Sequence, residues 1–342
     1  MDEKTKVETK APADALKSQK MTLRSFLLNY NAIIFIVILF IVASCASPIF
    51  FSSKNFNTLF RQQTTYMIIA IGMLMVIITG GIDLAAASTV ALSGIMMTIA
   101  ATKWGFGTVG SILVGLAVGV VIGAFNGFFV SVVRIPAFIV TLALSYIGEG
   151  VAFTLTNGNT IMLESSSQIY KTLVYPGFAS KAIPGVNIPF MFIVAVIAVI
   201  VFFFVMKYTK FGRLVYAVGS NENAVQLAGI NSKRVLFNVY LIEGILCAVA
   251  GVLVTCRTGN ASALTCSSDY SLSCIAAVVI GGASLAGGEG TVLMTVIGVF
   301  VIAIIGNIMN LVGMASYPQM IVKGAVIIFA VILKGISSKK NS

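Results

Sequence analysis

Histidine is absent from the 342 residues, and only eleven side chains are acidic. Without imidazole, the usual zinc sites, histidine general bases and Ser-His-Asp triads are excluded. The five cysteines, Cys45, Cys247, Cys256, Cys266 and Cys274, show no CxxC spacing. They read as small packing residues in or beside helices. No phosphate loop of the GxxxxGK[ST] type occurs, so the chain does not hydrolyse nucleotide itself. The acids are too scattered to form a set for acid–base or metal chemistry. The chain therefore does not read as an enzyme.

What remains is a small number of polar side chains set in apolar sequence: Asp83, Glu149, Glu243, Lys323, Asn126, Asn307 and Asn310. A charge at membrane depth is costly, so each is a functional hypothesis by default. Asp83 has two readings: a cap on the helix that follows it, or a lining of a polar path. Glu149 and Glu243 are near enough to segment ends to snorkel or pair. The three asparagines offer hydrogen bonds either to a polar solute or to neighbouring helices.

These side chains must be positioned by membrane-spanning helices. The sequence is 58% hydrophobic and 10% charged, against about 25% charged in soluble domains. Its solvent is lipid. Ten apolar segments approach the roughly 20 residues a span needs: 31–51, 65–80, 84–101, 108–133, 136–156, 187–206, 234–256, 271–283, 290–313 and 317–335. The expected fold class is an all-α polytopic bundle in which the second and eighth segments are short or broken. Both run into glycine pairs, Gly80-Gly81 and Gly281-Gly282. Interrupted helices are tolerated only where protein or a water-filled cavity satisfies the backbone, which points to a path near the two breaks. Gly115, Gly119, Gly123 and Gly127 recur every fourth residue, which predicts a tight helix–helix seam.

The net charge is +11, but the cations sit in short clusters between apolar runs. They read as topology signals and not as a nucleic-acid footprint. With the N-terminus inside, the inner loops and tails carry fifteen Lys/Arg and the outer loops six. That bias places both termini in the cytoplasm. The chain divides into a polar tail (1–30), read as uncleaved, a membrane domain (31–335) and a short tail (336–342). The membrane domain contains an outer loop at 157–186 and an inner loop at 207–233. Arg134-Ile-Pro-Ala-Phe-Ile-Val and Ser316-Tyr-Pro-Gln-Met-Ile-Val echo one another before the fifth and tenth segments. That echo fits an inverted repeat, and also fits the simple preference of proline for helix starts.

The inner loop reads KYTKFGRLVYAVGSNENAVQLAGINSKR. Ser220 or Asn221 can cap a helix of about two turns, Glu222 suits its first turn and Gly229 suits the residue beyond its end. Such an element could dock into a partner's groove, or could be an ordinary connection.

Several motifs together carry a resemblance. They are Asn55-Phe-Asn-Thr-Leu, Ile78-Thr-Gly-Gly-Ile-Asp-Leu84, Phe211-Gly-Arg-Leu-Val-Tyr-Ala-Val-Gly-Ser-Asn221, Leu227-Ala-Gly-Ile-Asn231, the run from Ile275 to Gly288, and Tyr317-Pro-Gln-Met-Ile-Val-Lys323. From about residue 26 to 335 the chain resembles permease subunits of bacterial ATP-binding cassette monosaccharide importers, the ribose/xylose/galactoside permease family. The resemblance implies a multi-pass protein of the cytoplasmic (inner) membrane that passes a monosaccharide inward, ribose foremost. It implies a second permease chain, forming a homodimer, a cytoplasmic ATPase subunit that binds the ATP and Mg, and an extracytoplasmic sugar-binding protein. This chain itself would hold no cofactor.

The resemblance also implies that the inner loop couples to the ATPase, through Gly212, Arg213, Gly219, Asn221, Glu222, Ala224 and Gly229. One departure stands out. The family commonly opens the eighth segment with Tyr-Glu-Leu-Asp, where this chain has Tyr270-Ser-Leu-Ser. Ser271 and Ser273 thus join Asp83, Asn126, Asn307 and Asn310 as candidate path residues. A permease for a nucleoside or another small polar solute, or a self-sufficient carrier or channel, would share much of this pattern.

Overall fold

The computed structural model describes residues 31–174, 189–267 and 269–338. Both termini of the chain and the rest of the outer loop, 175–186, lie outside the described residues. The described chain forms eleven α-helices. They are α1 (Asn31–Ala46), α2 (Ser53–Ile78), α3 (Ala86–Thr102), α4 (Thr108–Phe128), α5 (Ala137–Thr156) and α6 (Phe190–Tyr208). After these come α7 (Lys210–Leu227), α8 (Ser232–Thr258), α9 (Tyr270–Ile280), α10 (Val292–Leu311) and α11 (Ser316–Ser338). Each of the ten apolar segments falls on a helix, and α7 is the additional one. Among the described residues, seven segments are long and apolar enough to cross a membrane.

Two expectations about helix length need correction. The second segment is not short. α2 starts at Ser53, where the Ser52 side chain accepts from the Asn55 amide, and runs for 26 residues. Its first turns carry Asn55, Thr58, Arg61, Gln62 and Gln63, which depress hydropathy without weakening the helix. Only α9 is short, at 11 residues. The inner loop holds more helix than expected: besides the short capped helix that follows Asn221, the stretch from Lys210 to Ser220 is helical as well. Its first half continues because Gly212, Val215 and Val218 give it a buried face. It then breaks at Asn221, whose backbone leaves the helical region at φ −160° and ψ 95°.

α2 and α8 form the centre. From Met67 to Ile78 every residue of α2 is buried. α4 crosses α8 along its glycines. A Cβ on Gly123 would stand 2.7 Å from the Tyr240 carbonyl, and one on Gly127 2.9 Å from that of Phe237. Gly119 faces the Gly244 carbonyl, and Gly244 faces Gly119 in return. Gly115 abuts α3 at the Ser93 carbonyl, 3.0 Å away. Ser93 locks this crossing by donating to the carbonyls of Gly115, at 2.9 Å, and Ala248, at 3.0 Å. In lipid there is no hydrophobic drive between helices, so close backbone approach of this kind supplies the attraction.

Contacts between helix ends give the bundle two distinct ends. The ends of α2, α4, α6 and α9 gather around α7, with the starts of α8 and α10. At the opposite end β1 (Ile161–Met162) pairs antiparallel with β2 (Asn260–Ala261), and Asn55 at the start of α2 meets Asn307 near the end of α10.

Candidate functional site

A polar cavity of about 260 Å³ lies at the end remote from α7. α2 contributes Gln62, Gln63 and Tyr66, α8 contributes Arg257, and α9 contributes Tyr270 and Ser273. α10 and α11 supply Asn307, Asn310, Gln319 and Lys323. So many amides, phenols and hydroxyls inside an apolar bundle need a reason. Each buried polar group costs free energy unless hydrogen-bonded.

The cavity wall is organised around Asp269, just ahead of α9. Its carboxylate accepts from Lys323 Nζ at 2.6 Å, Tyr66 Oη at 2.8 Å and Ser273 Oγ at 3.1 Å. One carboxylate therefore ties α2, α9 and α11 together. Both members of the ion pair are about one-third exposed, and Lys323 lines the cavity. Tyr66 and Tyr270 lie side by side, with ring centroids 5.0 Å apart. Asn55 and Asn307 exchange amide hydrogen bonds at 3.0 and 2.8 Å, and Gln319 donates to Asn310 at 2.8 Å. This wall presents alternating donors and acceptors with two aromatic faces, which suits a neutral, hydroxyl-rich solute. Among the described residues no group of three or more His, Cys, Asp or Glu side chains could hold a metal ion.

The structure divides the candidate path residues. Ser273, Asn307 and Asn310 line the cavity. Ser271 does not. It donates to the Leu84 carbonyl at 3.1 Å and accepts from the Ala87 amide at 3.2 Å, fastening α9 to the start of α3. Asn126 is 1% exposed on α4 between two seam glycines, away from the cavity. Asp83 is buried and also lies away from it. Its Oδ1 accepts from the Ala85 amide at 2.7 Å, which supports the turn leading to α3. The capping position is Ala85, where no side-chain cap forms. Asp83 is two residues too early to reach the first amides of the helix.

The glycine breaks do not line the cavity either. The first break meets α7 together with the loop that follows the second. Gly80 (φ +79°) and Gly282 (φ +92°) let the chain turn after α2 and α9. The Gly288 amide then donates to the Ile78 carbonyl at 2.8 Å. Gly219 of α7 fits against this bond so closely that a Cβ there would overlap the Ile78 carbonyl. Tyr216 donates to the Gly290 carbonyl at 2.7 Å. The backbone of α7 thus rests directly on the far end of α2, the helix that holds Tyr66 at the cavity, and on the loop Gly287–Gly290 between α9 and α10.

The remaining inner-loop candidates divide between fastening and exposure. Gly212 lets α7 turn tightly under the Met206 and Val205 carbonyls, and Arg213 donates to the Tyr208 carbonyl at 3.2 Å. Beyond the break, Asn221 Oδ1 caps the Ala224 amide at 3.0 Å, and Gly229 (φ +77°) follows the helix end. Glu222 accepts from Arg134, Ser232 and Gln226 at 2.5, 2.7 and 3.0 Å. Partial burial raises the Glu222 carboxyl, but the hydrogen bonds from Ser232, Arg134 and Gln226 and the Arg134 charge outweigh it and hold it below its usual range. Leu227 is left 90% exposed at the tip.

Asp269 was not singled out by sequence reasoning. The signal that pointed to it was Lys323, a cation in an apolar segment that requires a counter-charge.

Comparison with known proteins fits this geometry. Residues 55–331 match the family described as branched-chain amino acid transport system / permease component. The ribose import permease protein of Escherichia coli (strain K12) is 35% identical over 315 residues, 91% of this chain and 94% of its own length. That of Bacillus subtilis (strain 168) is 36% identical over 296 residues, 86% and 89% of the two chains. The xylose transport system permease protein of Haemophilus influenzae (strain ATCC 51907 / DSM 11121 / KW20 / Rd) is 32% identical, covering 85% of this chain and 91% of its own. No solved structure matches the chain. A multi-pass helical bundle, a family match over most of the sequence and relatives covered nearly end to end place this chain in that family of transport-system permease components.

Proposed function

We propose that the chain is the membrane-spanning subunit of an ATP-driven importer that moves a monosaccharide, ribose foremost, into the bacterial cytoplasm. The observation that carries the reading is the amide- and phenol-lined cavity around Asp269, placed inside an otherwise apolar bundle. The family description speaks of branched-chain amino acids, whereas the similar proteins are named for ribose and xylose. The cavity supports the sugars. An amino acid presents two charges and an apolar side chain, whereas the charged residues lining the cavity, Arg257 and Lys323, are both cations, and the adjoining carboxylate of Asp269 is already paired with Lys323, which leaves no anion for an amino group among the described residues lining it.

In this reading the inner membrane holds two copies of the chain with both termini in the cytoplasm. A binding protein delivers the sugar to the cavity end, where residues 157–174 stand. A separate ATPase binds ATP and Mg and docks at α7. Leu227, Ala224 and Asn223 form the exposed knob, and Glu222 is braced by Arg134 behind them. Movement of α7 reaches the cavity directly along α2 and, through the Gly287–Gly290 loop, along α9. Ile78 to Tyr66 on α2 is twelve residues, about 18 Å of helix, and α9 spans a similar distance. Tyr66, Asn307, Asn310, Gln319 and Ser273 contact the sugar, while Asp269 and Lys323 fix the wall.

The test is reconstitution of the chain with its ATPase and binding protein in sealed vesicles. ATP-dependent accumulation of labelled ribose or xylose is expected. Equal flux without ATP would establish a self-sufficient carrier instead, and ATP-dependent uptake of leucine but no sugar would overturn the cargo.

A further inference from the structure

A second concave site lies at the α7 end, where the chain leaves α4 and enters α8. It is a groove of about 340 Å³ between the π-helical turn Phe129–Val133 and the first turns of α8. Lys233 and Arg234 supply two exposed cationic side chains, and among the described residues neither forms a salt bridge. The nearby acid, Glu222, is already neutralised by Arg134. Asn238 adds an exposed amide, while Val132 and Phe237 give the groove apolar walls. Ser131, also part of the wall, is fully buried, and its hydroxyl has no hydrogen-bond partner among the described residues. The groove also sits at the start of a 27-residue helix, where backbone amides and the macrodipole favour an anion.

These features combine a phosphate-binding end with an apolar flank that continues onto spanning helices. Phe125, Phe128, Val132 and Val133 are each between 46% and 52% exposed along that flank. We propose that this groove binds the headgroup of an anionic phospholipid from the membrane leaflet that faces α7. The phosphate sits between Lys233 and Arg234, and the acyl chains lie along the apolar wall. Basic recesses between spanning helices at the inner surface suit such headgroups, which are held by charge and by the adjoining hydrocarbon together. The site adjoins Ser232, which donates to Glu222, so an occupied groove would steady the start of α8 beside the α7 brace.

The proposal rests on the importer reading only for naming that leaflet as the cytoplasmic one. Its test uses the purified full chain. Trp104 is the single tryptophan, so Phe237→Trp in a Trp104→Phe background reports on the groove alone, with Asn238→Trp as a second reporter should the first disturb packing against Gly127. Brominated phosphatidylglycerol is expected to quench the reporter at a several-fold lower mole fraction than brominated phosphatidylcholine. Lys233→Gln and Arg234→Gln should each reduce that preference roughly fivefold. Equal quenching by the two lipids, or an unchanged preference in the double variant, would overturn the proposal. So would full displacement of the lipid by inorganic phosphate at matched ionic strength, which would reassign the groove to a free anion. The readout needs no transport, so a failed uptake assay would sink the importer reading without touching this one.

Discussion

At the cavity end of the bundle, polar side chains meet polar side chains. At the α7 end, backbone meets backbone through glycine. Around Asp269 the contacts are between polar side chains, Lys323, Tyr66 and Ser273, and the amides of Asn307, Asn310 and Gln319 line the same cavity. Around Gly219 nothing can rearrange, because the Ile78 carbonyl, the Gly288 amide and the Gly219 Cα already touch. A binding surface gains from adaptable groups, whereas a surface that transmits displacement gains from having no slack. In the proposed importer the same chain would supply both, joined by the continuous helix α2.

Substitutions at the two ends should therefore fail in different ways. The largest effect is expected from Gly219→Val, which drives a side chain into the Ile78 carbonyl. Maximal uptake should fall about ten- to a hundredfold, the rate equivalent of roughly 1–3 kcal/mol of overpacking. Half-saturation for sugar should be unchanged. A shifted half-saturation with intact maximal rate would erase the distinction between the two ends. Next, Lys323→Met leaves Asp269 with only two donors. Half-saturation should rise by roughly tenfold, the weight of one hydrogen bond to a charge, while ATP hydrolysis still responds to the other subunits. Kinetics of reconstituted transport read both numbers.

A smaller effect belongs to the brace behind the exposed tip. Glu222→Gln removes the charge that Arg134 grips, and an exposed pair of this type is worth about 1 kcal/mol or less. Coupling, measured as sugar moved per ATP hydrolysed, should drop by no more than about fivefold. Arg134→Gln should match it, and the double variant should be no worse than either single one. The smallest effect is that of pH. The folded-state carboxyl of Glu222 is lowered relative to its ordinary value of 4.5. Its stabilising contribution is therefore complete above that value and lost only as pH falls through the lowered one. The thermal midpoint of the wild type should be no more sensitive than that of Glu222→Gln between neutral pH and pH 5, and should lose its advantage only in stronger acid.

Much of this was legible in the residues, because it depends on neighbours along one helix. The i, i+4 glycines of α4 specify a flat face whatever lies opposite; α8 lies opposite Gly119, Gly123 and Gly127, and α3 opposite Gly115. Asn221, Glu222 and Gly229 specify a start and a stop by cap chemistry, and the helix obeys both. The length of α2 was misjudged for a physical reason. Its outer half faces a wet cavity, so the average hydropathy that identifies a lipid-facing span does not describe it. Asp83 and Ser271 look like path residues in a linear reading, since polar groups at membrane depth demand a purpose. In the fold their purpose is to hold the connection into α3 and the start of α9.

Sequence alone therefore determined that this is a lipid-embedded bundle, that it contains no GxxxxGK[ST] phosphate loop, and that one basic loop carries a capped helix. Those properties follow from composition and from short-range periodicity. Only the tertiary structure decided where the cavity stands and what α7 rests against. Lys323 and Asp269 are 54 residues apart, Tyr66 and Asp269 203, and Asn55 and Asn307 252. No local pattern encodes such pairings. They are fixed by the close packing of whole helices, which brings one set of side chains to a shared cavity and one set of glycines to a shared point of contact.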